Sequence, residues 1–255
     1  MQQQTSATRN CPLCGGAGWR PIEREGLRAV EACSCRSSAR NVDCLMERAR
    51  IPRRYRDCDL NSFELLTESK QSLYMAHGHA LRFVEQYPLQ EKGLLFLGNP
   101  GVGKTHLSVG ILKQLMAQKG VECLFCSYQD LLQAIRKSYD PVSVNTESEV
   151  LYPVLNTEVV VIDDLGANRI SDWVEDTITY ILNSRYNEKK ATILTSNLPD
   201  SPDELLDPSP GSKFGIVDTL TKRIGIRVRS RLYEMCQVVK ITAKDFRQTV
   251  QSHSH

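Results

Sequence analysis

The stretch Gly93-Leu-Leu-Phe-Leu-Gly98-Asn-Pro-Gly-Val-Gly-Lys104-Thr-His-Leu107 decides the fold. It opens on an apolar run of strand length, and Leu107, Ile111, Leu115 and Met116 then recur at helical spacing. Between strand and helix, Gly98 to Thr105 fits G-x-x-x-x-G-K-[S/T] in the context that pattern requires. The glycines let successive backbone N–H groups curl around phosphate oxygens, and the helix turns its positive end toward them. In this pattern Lys104 reaches the β and γ phosphates and the Thr105 hydroxyl holds Mg²⁺. The cofactor-binding run is therefore Gly98, Asn99, Pro100, Gly101, Val102, Gly103, Lys104, Thr105 and His106.

Further along, Val159-Val-Val-Ile-Asp163-Asp164 is too apolar for a surface strand and ends in two carboxylates. A buried parallel strand ends in charge at its carboxyl edge, where α/β sheets place their ligand crevice. Asp163 is the expected Mg²⁺ partner, and Asp164 is placed to act as general base toward a water. Ala191-Thr-Ile-Leu-Thr195 repeats the geometry and runs into Asn197, an amide able to bond that water or the γ-phosphate.

Val121–Cys126 and Gln237–Ile241 add two more strands, and Trp173, Thr177, Ile178, Ile181 and Leu182 mark another helix. Alternation of this kind predicts an α/β domain with a five-stranded, mostly parallel sheet, because parallel strands need crossover helices. Residues 138–147 and 199–211 are rich in turn formers and are expected to be surface loops.

The whole chain has 255 residues, 41% hydrophobic and 24% charged, which excludes disorder and fibrous repeats. Its net charge of +2, from 32 basic against 30 acidic residues, excludes a globally basic coat for nucleic acid. The polar start Met1–Asn10 has no signal-peptide core and no apolar run approaches bilayer length, so a cytoplasmic location is expected.

The segments Gly98–Leu107, Val161-Ile-Asp-Asp-Leu-Gly166, Asn183-Ser-Arg-Tyr186, Ile193–Asn197 and Arg229-Ser-Arg-Leu-Tyr-Glu234 resemble, in order and spacing, the DnaC/DnaI-type bacterial helicase loaders. Those are AAA+ P-loop ATPases related to the IstB transposition helpers, and the resemblance covers roughly residues 50 to 248. It implies an ATPase that self-associates in a nucleotide-dependent way, with ATP and Mg²⁺ at a subunit junction and an arginine supplied by the neighbour. Arg227, Arg229 and Arg231 are candidates; by match to the Ser-Arg-Leu segment, Arg231 stands first and Arg227 second. Two departures carry expectations of their own. Asp164 stands where many AAA+ proteins carry Glu, which predicts slow turnover, and the short chain after Ile241 predicts no C-terminal helical lid.

Nine cysteines is an odd count, and Cys11, Cys14, Cys33 and Cys35 cluster in a core-poor, Gly-rich stretch. Cys11-Pro-Leu-Cys14 resembles a zinc knuckle, and Cys33-Ser-Cys35 could complete a structural tetrahedral zinc site, with Cys44 as a substitute ligand. Uncommitted thiols are the other reading. Cys123 and Cys126 share that spacing, but on a strand positions three apart face opposite sides, so they read as core thiols. Cys58 and Cys236 have no visible partners; His77, His79, His106, Trp19 and Trp173 read as surface or packing residues, and His253 and His255 as part of a polar tail. The expected organisation is a disordered tail at 1–10, a zinc-ribbon-like module at 11–45, a basic linker at 46–60, the ATPase domain at 61–248 and a polar tail at 249–255.

Arg48, Arg50, Arg53, Arg54 and Arg56 crowd around Tyr55. Such a segment suits contact with single-stranded DNA, or else a solvated linker docked on its own domain. Three functions follow: a loader that delivers a DnaB-type hexameric replicative helicase to single-stranded DNA in replication initiation, an IstB-like helper that recruits a transposase, or an ATP-switched adaptor that barely hydrolyses.

Overall fold

The computed structural model describes residues 12–14, 19–24, 27–32, 42–63, 70–140, 142–143, 145–167, 171–200, 218–243 and 245–246. Its centre is a sheet of β3 (Gly93–Gly98), β4 (Cys123–Ser127), β5 (Val159–Asp163), β6 (Ala191–Ser196) and β7 (Cys236–Ile241), in the order β4-β5-β6-β3-β7. Every pairing is parallel, as the alternation predicted. The strand expected from Val121 begins at Cys123, and the last strand starts one residue earlier than its apolar run suggested.

Side chains alternate between two cores, one on each face of the sheet. Leu94, Phe96, Cys123, Phe125, Val159 and Val161 face one; Leu95, Leu97, Leu124, Val160 and Ile162 face the other. Cys126 packs against this second core, so Cys123 and Cys126 point to opposite faces, as expected of core thiols. Burial pushes the Cys126 thiol up to about 12, which keeps it protonated and unreactive. Because both faces are covered, the strands are continuously apolar rather than alternating in polarity. Truncating a wholly buried ring such as Phe96 to Ala would cost about 3–5 kcal/mol.

On the first face lie α2 (Lys70–Gln86) and α3 (Lys104–Lys119); on the second lie α4 (Tyr128–Ser138), α5 (Glu147–Asn156), α6 (Asp172–Asn187), α7 (Leu220–Ile224) and α8 (Ile226–Met235). Local chemistry sets the helix starts: Ser127 and Ser171 accept from N3 amides, and Thr146 with Glu149 forms a capping box. Among the described residues no helix is long and apolar enough to cross a membrane.

Residues 46–60, read in sequence as a basic linker, carry apolar anchors into the first core. A helix over 42–48 (α1) leads to Ala49, and Leu45, Ala49 and Leu60 are buried. The Ala49 carbonyl accepts the Phe125 amide at 2.8 Å, which covers the outer edge of β4. Leu60 lies so close to Gly110 of α3 that a Cβ there would meet it at 2.7 Å. Arg48, Arg50, Arg53, Arg54 and Arg56 all remain exposed. The segment thus docks by its sparse apolar residues and presents its arginines outward.

At the amino-terminal ends of β5 and β6, Arg185 of α6 is wholly buried. Its Nε donates to Thr192 Oγ1 (2.9 Å), Nη1 to the carbonyls of Val154 (2.7 Å) and Thr157 (2.9 Å), and Nη2 to those of Glu158 (3.3 Å) and Ala191 (2.6 Å). All five donors are used, so this cation pins α6 to the chain entering β5 and β6.

Toward the amino terminus, β1 (Trp19–Arg24) and β2 (Leu27–Ala32) form an antiparallel hairpin with Trp19 opposite Ala32. Of the four expected zinc ligands Cys14 lies in a turn over residues 12–14; Cys11, Cys33 and Cys35 fall outside the described residues.

Candidate nucleotide-binding site

The carboxyl ends of β3, β5 and β6 open into a cavity of about 740 Å³. The loop leaving β3 supplies one wall. Gly101 (φ 81°) and Gly103 (φ 97°) occupy the left-handed region, where a side chain would be strained. A Cβ on Gly101 would also meet the Asp245 carboxylate at 1.7 Å, and one on Gly103 would meet the Phe63 ring at 2.8 Å. With no side chains at these points, the loop offers bare backbone toward the cavity, beside the start of α3. This arrangement suits an anion such as a polyphosphate.

Lys104 begins α3 and is only 5% exposed. Its ammonium donates to the carbonyls of Gly98 (2.7 Å) and Asn99 (2.8 Å) and to Asn197 Oδ1 (2.7 Å). The amide of Asn197 donates in turn to Asp164 Oδ1. One side chain from β3's loop and one from the end of β6 are thereby joined to the second carboxylate of β5.

Asp163 ends β5 and is nearly buried; the hydroxyls of Thr105 (2.9 Å) and Thr195 (2.7 Å) both donate to its Oδ1. Burial raises its pKa, an effect reinforced by the neighbouring Asp164 and opposed by the two hydroxyls and Lys104. A hydroxyl and a carboxylate side by side form an all-oxygen set that fits Mg²⁺. Asp164 turns away with φ 61° and its amide donates to Thr195 Oγ1 (2.9 Å), which aims its half-buried carboxylate along a different line from Asp163.

The far end of the cavity is more apolar and was not foreseen from sequence. Tyr55, Cys58, Ser62 and Phe63 come from the docked amino-terminal segment, Leu73 from α2 and Phe246 from the chain after β7. Phe63 stacks on His77 (5.7 Å between centroids) and meets His106 edge-on (5.3 Å). His106 Nε2 in turn contacts the Asp59 carbonyl at 2.9 Å. His106 thus lines the cavity while also packing against Phe63. Arg54 lines the cavity too, its guanidinium lying 4.4 Å over the Tyr55 ring.

Arg227, Arg229 and Arg231 do not line this cavity. All three lie on α8. Arg229 is clamped by Asp200 (2.7 and 2.9 Å), which also accepts from Tyr233, and this holds the Asp200 carboxyl below its usual range. Arg227 pairs with Glu175 (3.1 Å). Arg231 donates to Asn183 (2.7 Å) and Glu234 (2.5 Å) and lies 4.6 Å over the Tyr186 ring. Arg227 and Arg231 share a second depression of about 430 Å³ with Thr179, Asn183, Ile226, Ser230 and Glu234. Ile226 there is 72% exposed.

Comparison with known proteins adds three findings. The sequence profile of the family described as "IstB-like ATP binding protein" matches residues 29–254. Among curated proteins, the chain is similar to the replicative helicase loader DnaC of Escherichia coli K12, 22% identical over 210 residues that make up 82% of this chain and 77% of that one. It also matches the uncharacterized protein YqaM of Bacillus subtilis 168, 28% identical over 58% of this chain, and spans only 42% of that relative. Among solved structures, the crystal structure of the DnaC helicase loader superposes with a TM-score of 0.61 at 34% identity, covering 75% of this chain and all of the other.

Proposed function

The chain belongs to the IstB-like ATP-binding proteins, among the AAA+ loaders of DnaC/DnaI type, and on that premise we propose that it binds ATP with Mg²⁺ in the cleft and delivers a hexameric replicative helicase onto single-stranded DNA during replication initiation. The observation that carries this reading is the convergence of Lys104, Thr105, Asp163, Asp164 and Asn197, drawn from three strand ends, into one hydrogen-bonded set.

In this proposal the amides of residues 101–105 hold the phosphates, and Lys104 exchanges carbonyl partners for phosphate oxygens. Thr105 and Asp163 hold the metal, which when bound neutralises charge on the transferring phosphoryl group. Asp164 takes the proton of a water that Asn197 orients. Among the described residues that line the cavity the one arginine is Arg54, which comes from the docked segment beside Tyr55 and not from the phosphate-loop side. Arg231, with Arg227 second, is the group proposed to serve a neighbouring copy's site: both line the depression on α8, Arg227 exposed and Arg231 half-buried against Asn183 and Glu234. Hydrolysis then depends on assembly, and the short Asp164 keeps it slow.

We propose in addition that zinc is held at the amino-terminal module by Cys11, Cys14, Cys33 and Cys35. Among the described residues no cluster of metal ligands is assembled, and the reading rests on the cysteine spacing, with Trp19 opposite Ala32, the residue before Cys33. Metal analysis should find one zinc per chain, and none in Cys33→Ser. A chain that is zinc-free as isolated would remove this element.

The test of the whole reading is capture by purified proteins. With ATP and Mg²⁺ the chain should retain a replicative helicase hexamer and load it on circular single-stranded DNA. Capture of a transposase instead would favour the second reading, an IstB-like helper, which the family profile supports.

A further inference from the structure

The chain leaving β7 emerges beside the phosphate loop because of the sheet's register. In the parallel β3–β7 pair Gly98 is opposite Ile241, so the two strands release their chains side by side at the carboxyl edge. Two contacts fix the path that follows. Ser72 Oγ of α2 donates to the Thr242 carbonyl (2.8 Å) and accepts from the Thr242 amide (3.2 Å). Four residues later the Phe246 amide donates to the Gly101 carbonyl at 3.1 Å.

Asp245 and Phe246 thereby lie as a strap across the loop. The Asp245 carboxylate covers Gly101, and the half-buried Phe246 ring joins Phe63, Tyr55 and Leu73 in lining the apolar end of the cavity. A triphosphate seated on the loop reaches Lys104 and Asp163 with its charged end and extends its base toward this apolar end. A planar base gains from an aromatic face and from displaced water, and an aromatic ring there discriminates little between bases.

We propose that Phe246 is a base-contacting residue of the nucleotide site, seated by the contacts that Thr242, Asp245 and its own amide make with Ser72 and Gly101, which couple occupancy of the base pocket to the chain after β7. The inference rests on the assignment of the cleft as the ATP site. The strap's Gly101 contact uses backbone atoms alone, so replacing the Phe246 side chain removes the ring and leaves the anchor.

The test compares ATP with inorganic tripolyphosphate, which occupies the loop without a base, by calorimetry on the full chain. Phe246→Ala should weaken ATP about tenfold while tripolyphosphate affinity stays within about twofold, and Phe246→Trp should restore ATP. Unchanged ATP affinity in Phe246→Ala overturns the proposal. So does an equal loss of both ligands, which would mean that the ring props the loop instead of touching a base. Failure of the site assignment looks different: Lys104→Ala would then bind both ligands as the wild type does.

Discussion

Two cations, both almost free of solvent, sit at opposite edges of one sheet and do opposite things. Arg185 is 0% exposed at the amino edge; Lys104 is 5% exposed at the carboxyl edge. Every Arg185 donor ends on a carbonyl or the Thr192 hydroxyl, and the residue lines neither of the two cavities above. Desolvation lowers its pKa to about 10, still high enough to keep it charged at neutral pH. Lys104 also makes three such bonds, but at the wall of a 740 Å³ cavity and to an Asn197 that is itself exposed. A buried cation whose donors are all spent within packed backbone is a structural pin. One with partners that a ligand can replace is a binding group, and burial alone does not distinguish the two.

The largest effect expected from this contrast is on Arg185. Arg185→Leu strands four backbone carbonyls and should cost about 3–5 kcal/mol, read as a lower midpoint in urea unfolding. A loss under about 1 kcal/mol would mean that the pin is dispensable. A comparable effect, on rate and not on fold, is expected at Arg231. Arg231→Ala should bind ATP normally yet lose about 10³-fold in assembly-dependent hydrolysis, regained on mixing with Asp164→Asn. If mixing restores nothing, the finger is elsewhere, with Arg227 next in line.

Smaller changes are expected where the backbone or the surface carries the role. Gly101→Ala forces a side chain into the left-handed region against Asp245, which should cost about 1–3 kcal/mol of stability. Equal stability of that variant would show that the strap yields freely. The smallest effect concerns the exposed arginines, a third kind of cation. Arg53→Ala with Arg56→Ala should leave folding intact and reduce the salt slope of single-stranded DNA binding by roughly 1.4. An unchanged slope would assign the segment to docking alone.

The loop end of the cavity was legible because its residues are local. Gly98 to Thr105 is continuous, and Asp163 and Asn197 stand at strand ends that an apolar run announces. The apolar end was not, because Tyr55, Phe63, Leu73 and Phe246 meet only through the docked segment, α2 and the β3–β7 register. Ala49 and Leu60 lie isolated among arginines and polar residues, so no periodicity betrays that this stretch enters the core. The buried role of Arg185, which lies inside the quoted Asn183–Tyr186 segment, went unread for a similar reason: within an amphipathic helix an arginine near the carboxyl end looks like a solvated, dipole-complementing residue. Its burial depends on where the chain enters β5 and β6. The partners of Arg231, the Asn183 amide oxygen and the Glu234 carboxylate, lie inside motifs already singled out, yet the Asn183 contact required α6 and α8 to be placed side by side.

Thermal unfolding of three proteins with and without ATP and Mg²⁺ tests the central claim most directly. The wild type should unfold at a higher temperature with saturating ligand, because binding to the folded state alone stabilises it. Lys104→Ala should unfold within a few degrees of the ligand-free wild type and gain nothing from ATP, while Arg185→Leu should unfold far lower yet still gain. A Lys104→Ala protein that ATP stabilises as fully as the wild type would contradict the account.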